Sequence, residues 1–199
     1  MNDCFALLNE PRRPWLDPEA LKNKFLSLSS TFHPDRVHNA SHLDKNTAQQ
    51  RYSEINTAYN RLRDPKERLL HFLELELGHR PTDTQRITPE LADFFNQMHS
   101  LCSEADALLR EKQMVSSPML KVAIFERGQA TTEKLFELQH RINSNYENVM
   151  AEIKVIDAEW EQTSDRDSIL TKLQTLYRLL SYFTRWSGQI QERIVQLSL

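Results

Sequence analysis

Only three glycines occur in this chain of 199 residues, where ordinary proteins carry ~7%. Tight hairpin turns draw on glycine for backbone angles that other residues avoid. Few strands can be joined from so small a supply, and the chain is directed towards helices that break at its prolines and at short polar stretches. The apolar residues agree, because they recur at steps of three and four along almost the whole sequence.

A short first helix covers roughly Cys4 to Leu8, and "NEPRRPW" ends it with two prolines. Asp17 then reads as an N-cap with Pro18 at the first helical position. Leu21, Phe25, Leu28 and Phe32 form one apolar stripe, and Pro34 stops the helix because the residue before a proline is pushed out of helical angles. A third helix is expected from about Asp44, with Ala48, Tyr52, Ile55, Tyr59 and Leu62 on one face. Pro65 restarts the chain as a fourth, carrying Leu69, Leu70, Leu73 and Leu77, and Gly78 stands where a C-terminal cap glycine is wanted. After the polar segment "HRPTDTQRI", Thr88 and Pro89 open a fifth helix that holds phase from Leu91 to Leu109. "VSSPM" interrupts it. A long sixth helix runs to Trp160, with Gly128 a candidate break or bend near its start, and "TSDRDS" turns the chain into a last helix from about Ile169 to Leu197.

The fold class predicted is therefore all-α: a compact set of short helices at residues 1–78, a linker at 79–87, and an antiparallel three-helix bundle at 88–199. Composition limits what such a chain does. With 39% hydrophobic and 27% charged residues it is ordinary globular material. Residues 1–80 carry 12 basic against 11 acidic side chains, and residues 81–199 carry 13 against 17. That balance argues against nucleic acid as a partner. The first residues form no uninterrupted apolar run, so neither an export signal nor a membrane partner is expected and the default compartment is the cytoplasm. Cys4 and Cys102 read as two buried thiols rather than a disulfide.

The second helix runs out at "HPD". Proline fixes the local backbone and holds an imidazole and a carboxylate on a defined turn. From His33, Pro34 and Asp35 alone two readings stand: ordinary turn chemistry at a helix stop, or an exposed group able to take an arginine of a partner. His33, His38 and His42 do not make a metal site, since no cysteine or second ligand pair completes four donors. His33 and Asp35 do not make a catalytic dyad, since no nucleophile or oxyanion donors accompany them. No cofactor and no enzymatic activity are expected.

Downstream, "INTAYNRLRDPKER" supplies Ile55, Asn56, Ala58, Tyr59, Leu62, Asp64, Pro65 and Arg68. In order and distance from the tripeptide this resembles the J-domain of DnaJ-type co-chaperones. "DCFALLNEP" at the start, an enlarged loop after the tripeptide, "LLHFLELELG" and a helical C-terminal part of this length are further similar to the HscB family, the J-type co-chaperones of iron-sulfur cluster assembly. The resemblance implies that His33, Pro34 and Asp35, with Lys22, Lys24 and Arg36, dock on a DnaK- or HscA-type ATPase chaperone and accelerate its ATP hydrolysis. It also implies an iron-sulfur scaffold protein as client, held by Phe94, Phe95, Met98 and Leu179. Two departures stand out. "SLSST" lacks the base that J-domains place late in the second helix, and His99, Leu101, Cys102 and Ser103 stand where the family's client patch is acidic. A J-protein of the same architecture with another client, or a helical assembly protein without a chaperone role, thus stays open. The continuous apolar phase of the long helices also leaves room for a homodimer.

Overall fold

The computed structural model describes residues 2–32, 42–81 and 89–198. These form seven helices and, among the described residues, no strand: α1 Cys4–Leu7, α2 Pro18–Thr31, α3 His42–Arg63, α4 Pro65–Leu77, α5 Pro89–Met114, α6 Pro118–Trp160 and α7 Arg166–Ser198. Three of the expected caps are in place, and Thr88 lies outside the described residues. Asp17 Oδ1 accepts the Ala20 amide at 2.8 Å and Asp64 Oδ1 the Glu67 amide at 2.9 Å, each just ahead of a proline at the start of its helix. Gly78 closes α4 at φ 74°, and its amide bonds the Glu74 carbonyl. Behind α1 it is Asn9 that takes the left-handed turn, at φ 52°, a conformation asparagine tolerates better than most residues.

The chain packs as two compact units, one of residues 1–82 with 151–177 and one of residues 83–150 with 178–199. Grouping by sequence places 151–177 with the bundle; the structure places these residues beside the N-terminal helices. The reason lies in α4. Arg68, Leu69, Leu70, His71, Phe72 and Leu73 are six consecutive buried residues, and a helix covered all round needs neighbours on every side.

Those neighbours differ in kind. On one side His71 Nε2 accepts the Cys4 amide at 2.9 Å, and its ring stacks on Phe5. Burial, helped by the nearby Arg61 charge, lowers the pKa of His71, which keeps the ring a neutral acceptor. On the side of α3 and the α1–α2 connection, the buried Arg68 guanidinium donates to the carbonyls of Leu62 at 2.9 Å and Pro14 at 3.3 Å. On a third side Phe72 meets Trp160 edge to face at 5.1 Å between ring centres. One turn before Trp160, the buried Asp157 carboxylate pairs with Arg13 at 2.9 Å and accepts the Trp15 amide at 3.2 Å.

In the second unit the three helices form an antiparallel bundle. Gln97 meets Arg141, Glu104 meets Thr131 and Lys134, and Glu111 meets Arg127, so α5 and α6 run in opposite directions. Asp106 with Arg193 and Gln139 with Gln191 place α7 against both. Leu108, Leu135, Ile142, Leu180, Trp186 and Ile190 fill the centre. Gly128 does not break α6, which is continuous through it. A lone glycine costs a helix only ~1 kcal/mol against alanine, which the packing of a long helix absorbs.

The glycines give a paired test. Gly188 lies within α7 with open space around a new Cβ, whereas Gly78 sits at positive φ. Gly188→Ala is expected to raise unfolding stability by about 0.5–1 kcal/mol and Gly78→Ala to lower it by about 1 kcal/mol, read from urea unfolding. Asp157→Ala, which removes the carboxylate from Arg13 and strands the Trp15 amide, is expected to cost about 2 kcal/mol by the same measurement. Asp157→Asn keeps an acceptor for the amide and should cost less.

Candidate functional site

The sequence-predicted docking residues lie around α2. Two aromatic rings set its position: Phe25 stacks on Tyr59 of α3, centroids 4.1 Å apart and 10° from parallel. Leu21 is buried beneath the helix and Leu28 is half-buried. This leaves Lys22 exposed and Lys24 half-buried. Lys22 has only a loose contact with Glu19, at 3.9 Å, too solvated to hold its charge back from a partner. His33, Pro34, Asp35 and Arg36 lie outside the described residues, as does His38.

The rest of the exposed face of α2 carries no cation. Leu26 is 52% exposed, and Ser30 and Thr31 both donate their hydroxyls back to the Ser27 carbonyl, at 2.9 and 3.0 Å. Bonds of this kind satisfy the hydroxyls within the helix. What the C-terminal half of α2 offers a partner is therefore an apolar side chain among self-satisfied hydroxyls.

The client-binding candidates separate into different environments. Phe94 packs edge to face on Phe183 of α7, and the Arg141 guanidinium covers its ring at 4.8 Å. Leu179 is half-buried on α7. Phe95, one position on from Phe94, turns outward and is 47% exposed, stacked on His99. Met98 is buried. Phe95 and Met98 do come together, as parts of one cavity of about 450 Å³ between α5 and α7.

Sequence reasoning missed the other wall of that cavity. Arg185, Trp186, Gln189 and Arg193 line it from α7, at the same three-and-four spacing that was read only for its apolar members. Cys102 lies at its base with Sγ 3.4 Å from Met98 Sδ. Burial raises the pKa of the Cys102 thiol, so it behaves as a small apolar group rather than a nucleophile. Arg193 is tied to Asp106 at 2.9 Å, which raises the pKa of its guanidinium. On the far side of α5, the Thr131 hydroxyl lowers the pKa of Glu104, with Lys134 adding to the effect.

Comparison with known proteins bears on both regions. Residues 3–71 match the DnaJ domain family. A co-chaperone protein HscB homolog of Mannheimia succiniciproducens is 32% identical over 98 residues, 49% of this chain and 57% of that protein. One of Vibrio cholerae is 38% identical over 72 residues, 36% of this chain and 42% of that protein. The matched stretches thus span about half the length of these relatives. Among solved structures, chaperone HscB from Vibrio cholerae superposes with a TM-score of 0.63 at 20% identity, over 98% of this chain and 99% of that one. Human co-chaperone protein HscB gives 0.60 at 19% identity, over 98% and 81%. At such identities these two establish the fold alone.

The different burial of two neighbouring candidates gives a direct check. Phe95→Ala is expected to change unfolding stability by no more than about 0.5 kcal/mol. Met98→Ala, in the wall of the bundle, should cost roughly 2–3 kcal/mol. Thermal and urea unfolding of both variants would reveal whether the exposed ring is free for another task.

Proposed function

We propose that this chain is an HscB-like J-domain protein, a J-type co-chaperone of the iron-sulfur cluster assembly system. His33, Pro34 and Asp35, with Lys22, Lys24 and Arg36, dock on a DnaK- or HscA-type ATPase chaperone and accelerate its ATP hydrolysis. The helical C-terminal part delivers the client, a scaffold protein, through the region of Phe94, Phe95, Met98 and Leu179. The chain works in the cytoplasm and performs no chemistry of its own; ATP is hydrolysed in the partner.

The observation that carries this reading is the place of the tripeptide. It follows directly on α2, which the Phe25–Tyr59 stack clamps to α3, in a segment matched by the DnaJ domain family. A helix fixed in this way presents Lys22 and Lys24 with little loss of ordering entropy on binding. The Asp35 carboxylate is suited to an arginine of the chaperone, the stronger kind of hydrogen bond. No helix among the described residues is long and apolar enough to cross a membrane.

The test is the steady-state ATPase of the cognate chaperone. Wild-type protein is expected to stimulate it, and His33→Gln to lower the stimulation about tenfold or more, the ~1.4 kcal/mol scale of one charge-assisted contact. The helical circular-dichroism spectrum should not change. Absence of stimulation by the wild-type protein would overturn the reading.

A further inference from the structure

Five of the ten large apolar side chains that stand exposed among the described residues fall between positions 114 and 125: Met114, Met119, Leu120, Val122 and Phe125. Single apolar residues scattered over a surface are ordinary, whereas a cluster of them marks a contact still to be made. These five sit at one end of the bundle, where α5 ends at Met114 and α6 begins at Pro118. Met114 and Met119 are 85% and 84% exposed, so neither packs on the bundle. At about 100° per residue, Met119, Leu120, Val122 and Phe125 surround the start of α6 on every side except that of Ile124, which is buried. A helix that is apolar all round is one that is covered all round.

The charge at this end is of one sign. From Lys112 to Phe125 there are two lysines and no carboxylate, and Glu111, next before them, is held by Arg127 at 2.9 Å. Lys112 of α5 and Lys121 of α6 line one cavity of about 380 Å³ whose apolar walls are Leu108, Ile124, Phe125 and Leu197. Two cations above apolar walls complement an anionic headgroup with acyl chain beneath it. A second copy of the same end would bring lysine to lysine and be repelled. A folded protein partner covers a helix from one side and leaves part of this ring of side chains wet, whereas a bilayer surface closes round the end. The stretch from Pro118 to Phe125 is about 12 Å long, close to the roughly 5–10 Å by which apolar groups sink into a membrane interface.

We infer that this end of the bundle seats the protein on an anionic lipid surface, with Met114, Met119, Leu120, Val122 and Phe125 entering the boundary between headgroups and acyl chains and Lys112 and Lys121 meeting the headgroup charges. Lysine suits that place, because its stem lies along apolar surface while the ammonium stays among the headgroups. The sequence reading set a membrane partner aside because the first residues form no uninterrupted apolar run; attachment to a surface needs no spanning helix. The inference stands apart from the co-chaperone reading, whose docking and client residues lie elsewhere in the chain.

Flotation of the full chain with vesicles of phosphatidylcholine alone, and of equimolar phosphatidylcholine and phosphatidylglycerol, tests this. The mixed vesicles are expected to bind at least about tenfold more tightly at low salt, and Lys121→Glu, which turns an attraction into a repulsion, to weaken that binding about tenfold or more. The double variant Met119→Ser, Leu120→Ser should weaken it as far with no change of charge. All three positions are exposed, so both variants should keep the helical circular-dichroism spectrum. An NBD label on Met119→Cys should shift to the blue and be quenched by brominated lipid; one on Ser144→Cys, exposed farther along α6, should not, and the native Cys4 and Cys102 are buried. No binding to the mixed vesicles, equal binding to both kinds, unchanged binding in both variants, or a label at Met119 that is not quenched would overturn the proposal. So would a wild-type dimer in sedimentation velocity that the double variant turns into a monomer, since a second copy would then cover the end. Stimulation of the chaperone ATPase by Lys121→Glu should equal that by the wild-type protein, so the two readings fail separately.

Discussion

The N-terminal unit depends on the burial of α4. Residues 68–73 are covered without a gap, so each of the helix's faces must find a different neighbour, and the unit is the set of segments that supply them. α1 gives Phe5 and the Cys4 amide, α3 the Leu62 carbonyl, the α1–α2 connection the Pro14 carbonyl, and the end of α6 the Trp160 ring. Two of the six residues are polar: Arg68 donates to carbonyls, and the neutral ring of His71 accepts an amide at Nε2 while its buried Nδ1 has no hydrogen-bond partner among the described residues. A buried charge left unmatched is among the largest destabilising terms a fold can carry. The polar residues therefore fix the register of the neighbours, and the leucines supply the driving force.

How much of this was legible in the sequence follows the range of each interaction. Asp17 with Pro18, Asp64 with Pro65, and Gly78 were readable because a cap is settled by residues three or four apart. The stripe of Leu21, Phe25 and Leu28 was readable because its period states which face is covered. The membership of residues 151–177 was not. Asp157 and Trp160 find Arg13, Trp15 and Phe72 about 90 to 140 positions away, and nothing in the local pattern of α6 distinguishes turns that pack on the bundle from turns that pack on α4. The hint was in α4 itself, since "RLLHFLELEL" has too many apolar residues for a helix covered on one side only.

The candidate sites divide the same way. The tripeptide was singled out because loop, helix phase and downstream motif fall in order along the chain, and it lies outside the described residues. At the client region, Phe94 and Phe95 were rightly separated in direction by the ~100° between helical neighbours, and the structure sends Phe94 to Phe183 and Phe95 outward. Arg185, Trp186 and Arg193 were passed over. They line a cavity shared by two helices some ninety residues apart, and such a cavity belongs to the assembled bundle rather than to any one segment.

Both departures from the J-domain pattern then have a physical expression. On α2, Ser30 and Thr31 hold no free hydroxyl proton and Leu26 is apolar, so the cations of the helix, Lys22 and Lys24, lie towards its first half. Exposed lysines contribute little to affinity and more to encounter rate, and salt screens them. On the docking proposed above, specificity then rests on the tripeptide and on shape at Leu26. A co-chaperone built in this way gains less from long-range steering than one with a fully basic second helix.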